Sequence, residues 1–217
     1  MFDSEAVFVT GTDTGIGKTF VSCALIQAIK RTGKTVEAMK PVASGCEWSD
    51  GQWQNEDALA LMQACESKTD YSVVNPYALP LATAPQIAAR EANVNIDTML
   101  LVSSFQKLQS HADFVLVEGV GGWLAPLSDN LDQSDLVAAL KVPVVMVVGM
   151  RLGCINHARL TEQVIQLGGF NLLGWIANYC EAEFDSNGEY FNALNAVMKT
   201  SCLAKMPHNG QLLFAHG

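Results

Sequence analysis

The chain has 217 residues, 49% of them apolar, 16% charged and 8% aromatic, which suits one α/β domain with a full core and leaves little room for a second. With 13 Lys and Arg against 22 Asp and Glu, the formal net charge is −9, a balance that excludes a basic nucleic-acid face or strong attraction to anionic membrane. The longest apolar run, residues 142–148, is far short of the ~20 residues that span a bilayer, and the acidic start Met1-Phe2-Asp3-Ser4-Glu5 lacks the basic region of a signal peptide.

In chain order, the first predicted element is a strand at 6–10, apolar at consecutive positions as strands are when both sheet faces are covered. It runs into Gly11-Thr12-Asp13-Thr14-Gly15-Ile16-Gly17-Lys18-Thr19 and then a helix at 18–31. Val21, Leu25, Ala28 and Ile29 give that helix an apolar stripe at 3.6-residue spacing, and Gly33 ends it as a C-terminal glycine cap. A strand at 35–39, a loop at 44–55, a helix at 57–65 and a proline-marked loop at 75–85 come next. A helix at 96–109, a strand at 114–117, a helix at 134–140 and a strand at 142–148 follow. The last elements are a helix at 156–167, a strand at 172–177, a helix at 189–199 and a short strand at 202–205. Alternation of this kind predicts a mainly parallel β-sheet covered by helices on both faces, built as a single domain over 1–217. The six cysteines stand singly with no C-x-x-C pair, the pattern of reduced thiols in a cytoplasmic protein. His111 and His216 sit in no motif.

A strand that enters a tight glycine turn and then a helix aims backbone N–H groups and the positive helix end at one spot, where phosphate oxygens fit. Lys18 then reaches the β- and γ-phosphates, and the Thr19 hydroxyl ligates Mg²⁺. The loop is one residue longer than usual, with five residues between Gly11 and Gly17, so Asp13, Thr14 and Gly15 at its tip face the nucleotide differently. Glu118 follows the buried run 114–117 at a strand's C-terminal tip, where open α/β sheets bind ligands; it reads as a metal ligand or as a turn cap. After it, Gly119-Val120-Gly121-Gly122 offers bare backbone to phosphate. Asp57 lies in a first helical turn, where the helix dipole favours an acid, and it reads equally as a capping residue or a metal ligand. Lys40, at the end of the second strand and followed by Pro41, is placed to neutralise a transferring phosphoryl group, or is a solvated surface charge.

Taken together, GTDTGIGKT, KPVASG, NEDALAL, VNPY, VEGVGGWLAPLSD, VVGMRLGCINHARLT and GWIAN resemble the dethiobiotin synthetase family over most of the chain, from residue 8 to about 179. The resemblance implies a P-loop NTPase fold and the ATP-dependent carboxylation and ring closure of 7,8-diaminononanoate with CO₂ in biotin synthesis, in a cytoplasmic homodimer that binds neither nucleic acid nor membrane. It implies Lys40 as catalytic lysine, Lys18 as phosphate stabiliser, Thr14 and Ser44 on the diamine or carbamate, and Mg²⁺ on Thr19, Asp57 and Glu118. ATP is then held by Gly15, Ile16, Gly17, Lys18, Thr19, Phe20, Asp57, Glu118, Gly119, Val120 and Gly121. Asn178, with Tyr179, reads adenine, and Pro207, His208 and Asn209 contact it. Cys154, Ile155 and Asn156, at a helix start, and Tyr190 take the carboxylate tail of the substrate held in the neighbouring subunit, which is why a homodimer is implied. Cys154 itself is expected to be a buried small residue and His157 a packing residue. Two features depart from the family pattern: Gly15 stands where some members carry an acid, and the stretch after Met206-Pro207 is shorter than the family's, with Lys205 where a small or acidic residue is expected. The rivals are a partitioning- or targeting-type ATPase switch, whose extra loop lysine is missing at Thr12, Asp13 and Thr14, an amide-forming ligase without its glutaminase domain, and a non-enzymatic nucleotide sensor.

Overall fold

A computed structural model describes residues 4–185 and 187–215; Met1 to Asp3 of the acidic start, and His216, lie outside the described residues. β1 (Ala6–Gly11) leads through the glycine loop into α1 (Lys18–Lys30), and β2 (Val36–Met39) returns to the sheet. Short elements follow: β3 (Val42–Ser44), β4 (Glu47–Ser49), β5 (Gln52–Gln54), α2 (Glu56–Cys65), α3 (Tyr71–Val74), β6 (Tyr77–Leu79) and α4 (Pro85–Glu91). Next come α5 (Thr98–Gln109), β7 (Phe114–Glu118), β8 (Pro126–Ser128), β9 (Leu131–Asp132), α6 (Gln133–Leu140), β10 (Val144–Gly149) and α7 (Cys154–Leu167). The chain finishes with β11 (Leu172–Asn178), α8 (Glu189–Val197), β12 (Cys202–Met206) and β13 (Leu213–Phe214).

Seven strands form one sheet in the order β13-β12-β11-β10-β1-β7-β2. Every pairing is parallel except β12 with β13. Because side chains alternate along a strand, neighbouring residues of β1 feed two separate cores. Val7 and Val9 pack with Val21, Leu25 and Ile29 of α1 and Leu61 of α2, whereas Phe8 packs with Phe105 of α5, Val137 of α6 and Ile165 of α7. Helices therefore cover both faces, and all six β1 positions are buried. The parallel strands end at one rim, and it is there that α1 and β7 deliver Lys18, Thr19 and Glu118.

The two predicted loops carry structure of their own. Within 44–55, β4 and β5 pair antiparallel around Asp50-Gly51, both at positive φ (52° and 78°), the backbone that a two-residue hairpin turn demands. Trp48 and Trp53 face each other across this hairpin, edge to face, with ring centroids 5.4 Å apart. Within 75–85, β6 pairs with β3, and Pro85 opens α4 at the first-turn position where a missing N–H costs nothing. Boundaries elsewhere moved by one or two residues for local reasons. β10 begins at Val144 because Pro143 cannot donate to the ladder. Ile26 takes the place of Ala28 on the buried face of α1. α7 starts at Cys154, with Gly153 (φ 92°) as its N-cap.

Candidate active site

The glycine loop is locked from behind. Ile16 is 1% exposed and plugs between the ends of β1 and β10; a Cβ on Gly11 or Gly149 would lie 2.8 or 2.7 Å from its side chain. The Ile16 carbonyl accepts a 2.6 Å hydrogen bond from Asn178 Nδ2 at the end of β11. Gly17 has φ 77°, and a Cβ there would sit 2.4 Å from that same amide, so both conformation and space require glycine. Gly15 also has positive φ, 68°, but open space around it. No side chain caps α1, so its first N–H groups face the loop's concavity. At the longer tip, Lys18 Nζ donates to the Asp13 carbonyl at 3.1 Å, and Arg151 pairs with the Asp13 carboxylate. Thr14 Oγ1 lies 3.5 Å from where a Gly121 Cβ would be, so the Gly119–Gly122 turn lies against the loop tip.

Beside the loop, charges from four stretches of chain converge. Lys40 Nζ is 2.6 Å from Glu118 Oε1 and 2.7 Å from Asp57 Oδ2, and donates a longer bond of 3.4 Å to the Gly119 carbonyl. Thr19 Oγ1 donates to the same Glu118 oxygen at 2.8 Å. Lys40 is 2% exposed and Glu118 wholly buried, so this is an ion pair out of water and not a surface charge. Burial works against the Lys40 ammonium, yet Glu118 and then Asp57 outweigh it and raise its pKa above the ordinary value. Asp57 is the converse: burial pushes its pKa up, but Lys40 prevails and holds it low. Lys18, desolvated and then repelled by Lys40, falls to about 8, so it gains from any anion placed between the two ammonium groups.

Glu118 Oε2 is buried without a hydrogen-bond partner among the described residues. An orphaned carboxylate oxygen, a second carboxylate and a hydroxyl form a hard-oxygen donor set of the kind Mg²⁺ takes when phosphates complete its shell. Among the described residues no three His, Cys, Asp or Glu side chains gather into a metal cluster of their own.

The remaining sequence candidates fall around this centre. Ser44 ends β3 and is half-buried. Asn178, 4% exposed, commits one amide hydrogen to Ile16, and the following Tyr179 N–H donates to the Met206 carbonyl at 2.9 Å. His208 contacts the Cys180 carbonyl at 3.0 Å, so Pro207, His208 and Asn209 stand beside the β11 end. Phe20, 47% exposed, lines a cavity of about 260 Å³ with Met206, Gly210 and Leu212. Lys205 turns to the Phe191 ring, 3.4 Å from its centroid. At the start of α7, the Cys154 side chain is buried in the core and its N–H donates to the Arg151 carbonyl. Ile155 and Asn156 follow it in the first turn, with N–H groups that have no acceptor within the helix. Tyr190, on α8, packs against Phe184 with centroids 4.7 Å apart and the rings tilted by 50°. Sequence reasoning missed Arg151. The only signal was a lone arginine beside Leu152-Gly153, which by itself cannot be told from a solvated charge.

Residues 5–215 match the family described as AAA domain. An ATP-dependent dethiobiotin synthetase BioD of Xanthomonas campestris is 50% identical over 202 residues, 93% of this chain and 90% of that protein. The protein of the same name from Xylella fastidiosa is 50% identical over 204 residues, 94% and 90% of the two chains. Solved structures share the fold at low identity. The MinC:MinD cell division protein complex of Aquifex aeolicus superposes with TM-score 0.60 at 13% identity, covering 94% of this chain and 81% of that one. A ParA family ATPase from Chlorobium tepidum gives 0.57 at 15%, covering 94% and 85%.

Proposed function

The chain belongs to the ATP-dependent dethiobiotin synthetase family, and we propose that it carboxylates 7,8-diaminononanoate with CO₂ and closes the ring at the expense of ATP, giving dethiobiotin, ADP and phosphate. One amine attacks CO₂ to form a carbamate. A carbamate oxygen takes the γ-phosphoryl group, with ADP leaving, and the second amine displaces phosphate from the resulting carbamic–phosphoric anhydride to close the cyclic urea. Each step brings anions together, so catalysis rests on positioning and on cations that spread charge.

The observation that carries the reading is the buried Lys40–Glu118–Asp57–Thr19 cluster beside the loop that presents Lys18. Lys18 and Lys40 neutralise the carbamate and the transferring phosphoryl group. The Gly15–Thr19 backbone cradles the phosphates, continued by Phe20 and by Gly119, Val120 and Gly121. Thr14 and Ser44 orient the diamine. Thr19, Asp57 and Glu118 would hold Mg²⁺, which supplies positive charge on the phosphate oxygens, and the unpaired Glu118 oxygen supports that assignment. Asn178, Tyr179 and the turn at Pro207, His208 and Asn209 take the adenine. The α7 start, through the N–H groups near Cys154, Ile155 and Asn156, takes the carboxylate tail with Tyr190. A homodimer completes that end; exposed Leu152 (80%), two residues before α7 begins, supports a covered surface there. The span 1–217 is read as one catalytic domain, supported by a sheet that draws strands from Ala6 to Phe214. A cytoplasmic setting is in keeping with six free cysteines.

The test is to mix the protein with ATP, Mg²⁺, bicarbonate and the diamine and to look for the cyclic urea by mass spectrometry. Lys40→Ala is expected to abolish product while retaining ATP binding. ADP release that ignores the diamine would support the partitioning-type switch, for which the MinD and ParA likenesses provide the fold alone.

A further inference from the structure

Lys40 and Asp57 meet through their side chains although they lie 17 positions apart in the chain, with an exposed hairpin between them. A hairpin of that kind is a poor ruler. Their backbones are instead joined by a buried chain of hydrogen bonds through residues outside the site described above. The Lys40 carbonyl accepts from Asn75 Nδ2 at 2.6 Å, and Asn75 Oδ1 accepts from the Tyr71 hydroxyl at 2.8 Å. That hydroxyl accepts in turn from the Asn55 N–H at 2.7 Å. The Asn55 side chain caps α2, accepting from the Asp57 N–H at 3.1 Å and the Ala58 N–H at 3.4 Å. The Lys40 N–H donates to the Val74 carbonyl at 2.8 Å, so both sides of the Lys40 peptide backbone are tied to the α3 segment. Asn75, Asn55 and Tyr71 are 2%, 7% and 9% exposed.

The chain of bonds therefore closes on itself. It runs from the Lys40 backbone through Asn75, Tyr71 and Asn55 to the first turn of α2, and the Lys40–Asp57 ion pair completes the circuit. Tyr71 is its hinge, because one hydroxyl serves as donor and acceptor at once, and burial pushes its pKa up to about 12, which keeps it a neutral donor. In a site shielded from water such linked bonds reinforce each other, and no solvent stands ready to replace a missing link.

We propose that Tyr71 and Asn75 are positioning residues for the reaction: they hold the strand end bearing Lys40 against the N-cap of the helix bearing Asp57, so that ammonium and carboxylate are aligned before substrate arrives. The inference rests on the reading of Lys40 as the catalytic lysine. Neither side chain touches substrate in this account; both act through the backbone.

Tyr71→Phe removes only the oxygen, and Asn75→Asp keeps the acceptor for Tyr71 while losing the donor to Lys40. Each is expected to lower kcat about 10- to 100-fold, the scale of loss from a misplacement near 1 Å, with KM for ATP and diamine within about threefold of wild type. The control is Thr200→Val, which removes a 2.6 Å hydroxyl bond to Glu162 at the opposite end of the strands. Unfolding midpoints of all three are measured, and kinetics are run well below the lowest. The control should keep kcat within twofold. If either Tyr71→Phe or Asn75→Asp retains kcat within twofold, or if Thr200→Val reproduces the loss, the inference is overturned alone. No cyclic urea from the wild-type protein would overturn the functional reading and this inference with it.

Discussion

Replacing Lys40 by Met keeps most of the side chain's volume and removes its charge. In the ligand-free protein Glu118 then keeps only the Thr19 hydroxyl on one oxygen and nothing on the other, at zero exposure. Asp57, whose side chain is 36% exposed, can recover water, so most of the penalty falls on Glu118. Removing one partner of a buried ion pair costs about 3–5 kcal/mol. For a chain of this size each kcal/mol moves the unfolding midpoint about 2–4 °C, so the variant should melt about 6–20 °C below wild type. Scanning calorimetry at neutral pH without nucleotide measures this, and 1 M salt should change the difference little because the pair is out of solvent. The pH dependence has a definite sign. Lys40 holds the folded-state pKa of Asp57 below its unfolded value, which stabilises wild type above the unfolded carboxylate pKa and is lost as pH falls through the folded one. The variant lacks this contribution, so the two melting curves should converge on acidification. A midpoint shift under 2 °C at pH 7, or a difference that grows in acid, would refute the buried-pair argument.

Other expectations concern the loop and its supports. Gly17→Ala combines a left-handed backbone, costing about 1–2 kcal/mol, with a clash on Asn178; nucleotide titration should show ATP affinity falling at least tenfold, whereas Gly15→Ala, with the same φ sign but open space, should lose only a fewfold. Equal losses would mean that conformation alone, and not the Asn178 contact, sets the requirement. Gly149→Ala drives a methyl to 2.7 Å from Ile16 and should lower stability by about 1–3 kcal/mol in urea unfolding; an unchanged midpoint would show that Ile16 is not wedged. Arg151→Met should leave stability within about 1 kcal/mol, since the pair is over one-third exposed, yet raise KM for ATP by releasing Asp13, and unchanged kinetics would discard the clamp.

The sequence by itself determined the parallel framework and the phosphate loop. Consecutive apolar residues at 6–10, 114–117 and 172–177 can be buried on both sides only in a covered sheet, and a glycine loop between strand and helix has one common use. These signals are local, carried by residues adjacent in the chain. The hairpin was also legible, in Asp50-Gly51 between two tryptophans, but a stretch rich in polar residues read as loop. The sequence named candidate residues, but the choice between ligand and cap for Asp57, and between a phosphoryl-neutralising role and a solvated charge for Lys40, stayed open in one dimension. Only the tertiary structure decided that Lys40 and Glu118 meet out of water with Asp57 and Thr19 at the edge of the same point, that Arg151 reaches Asp13 across 138 residues, and that Asn178 grips Ile16 across 162. A charge or an amide has no intrinsic role. Its energy depends on distance to its partner and on exclusion of water, and both arise only when the strands are laid side by side.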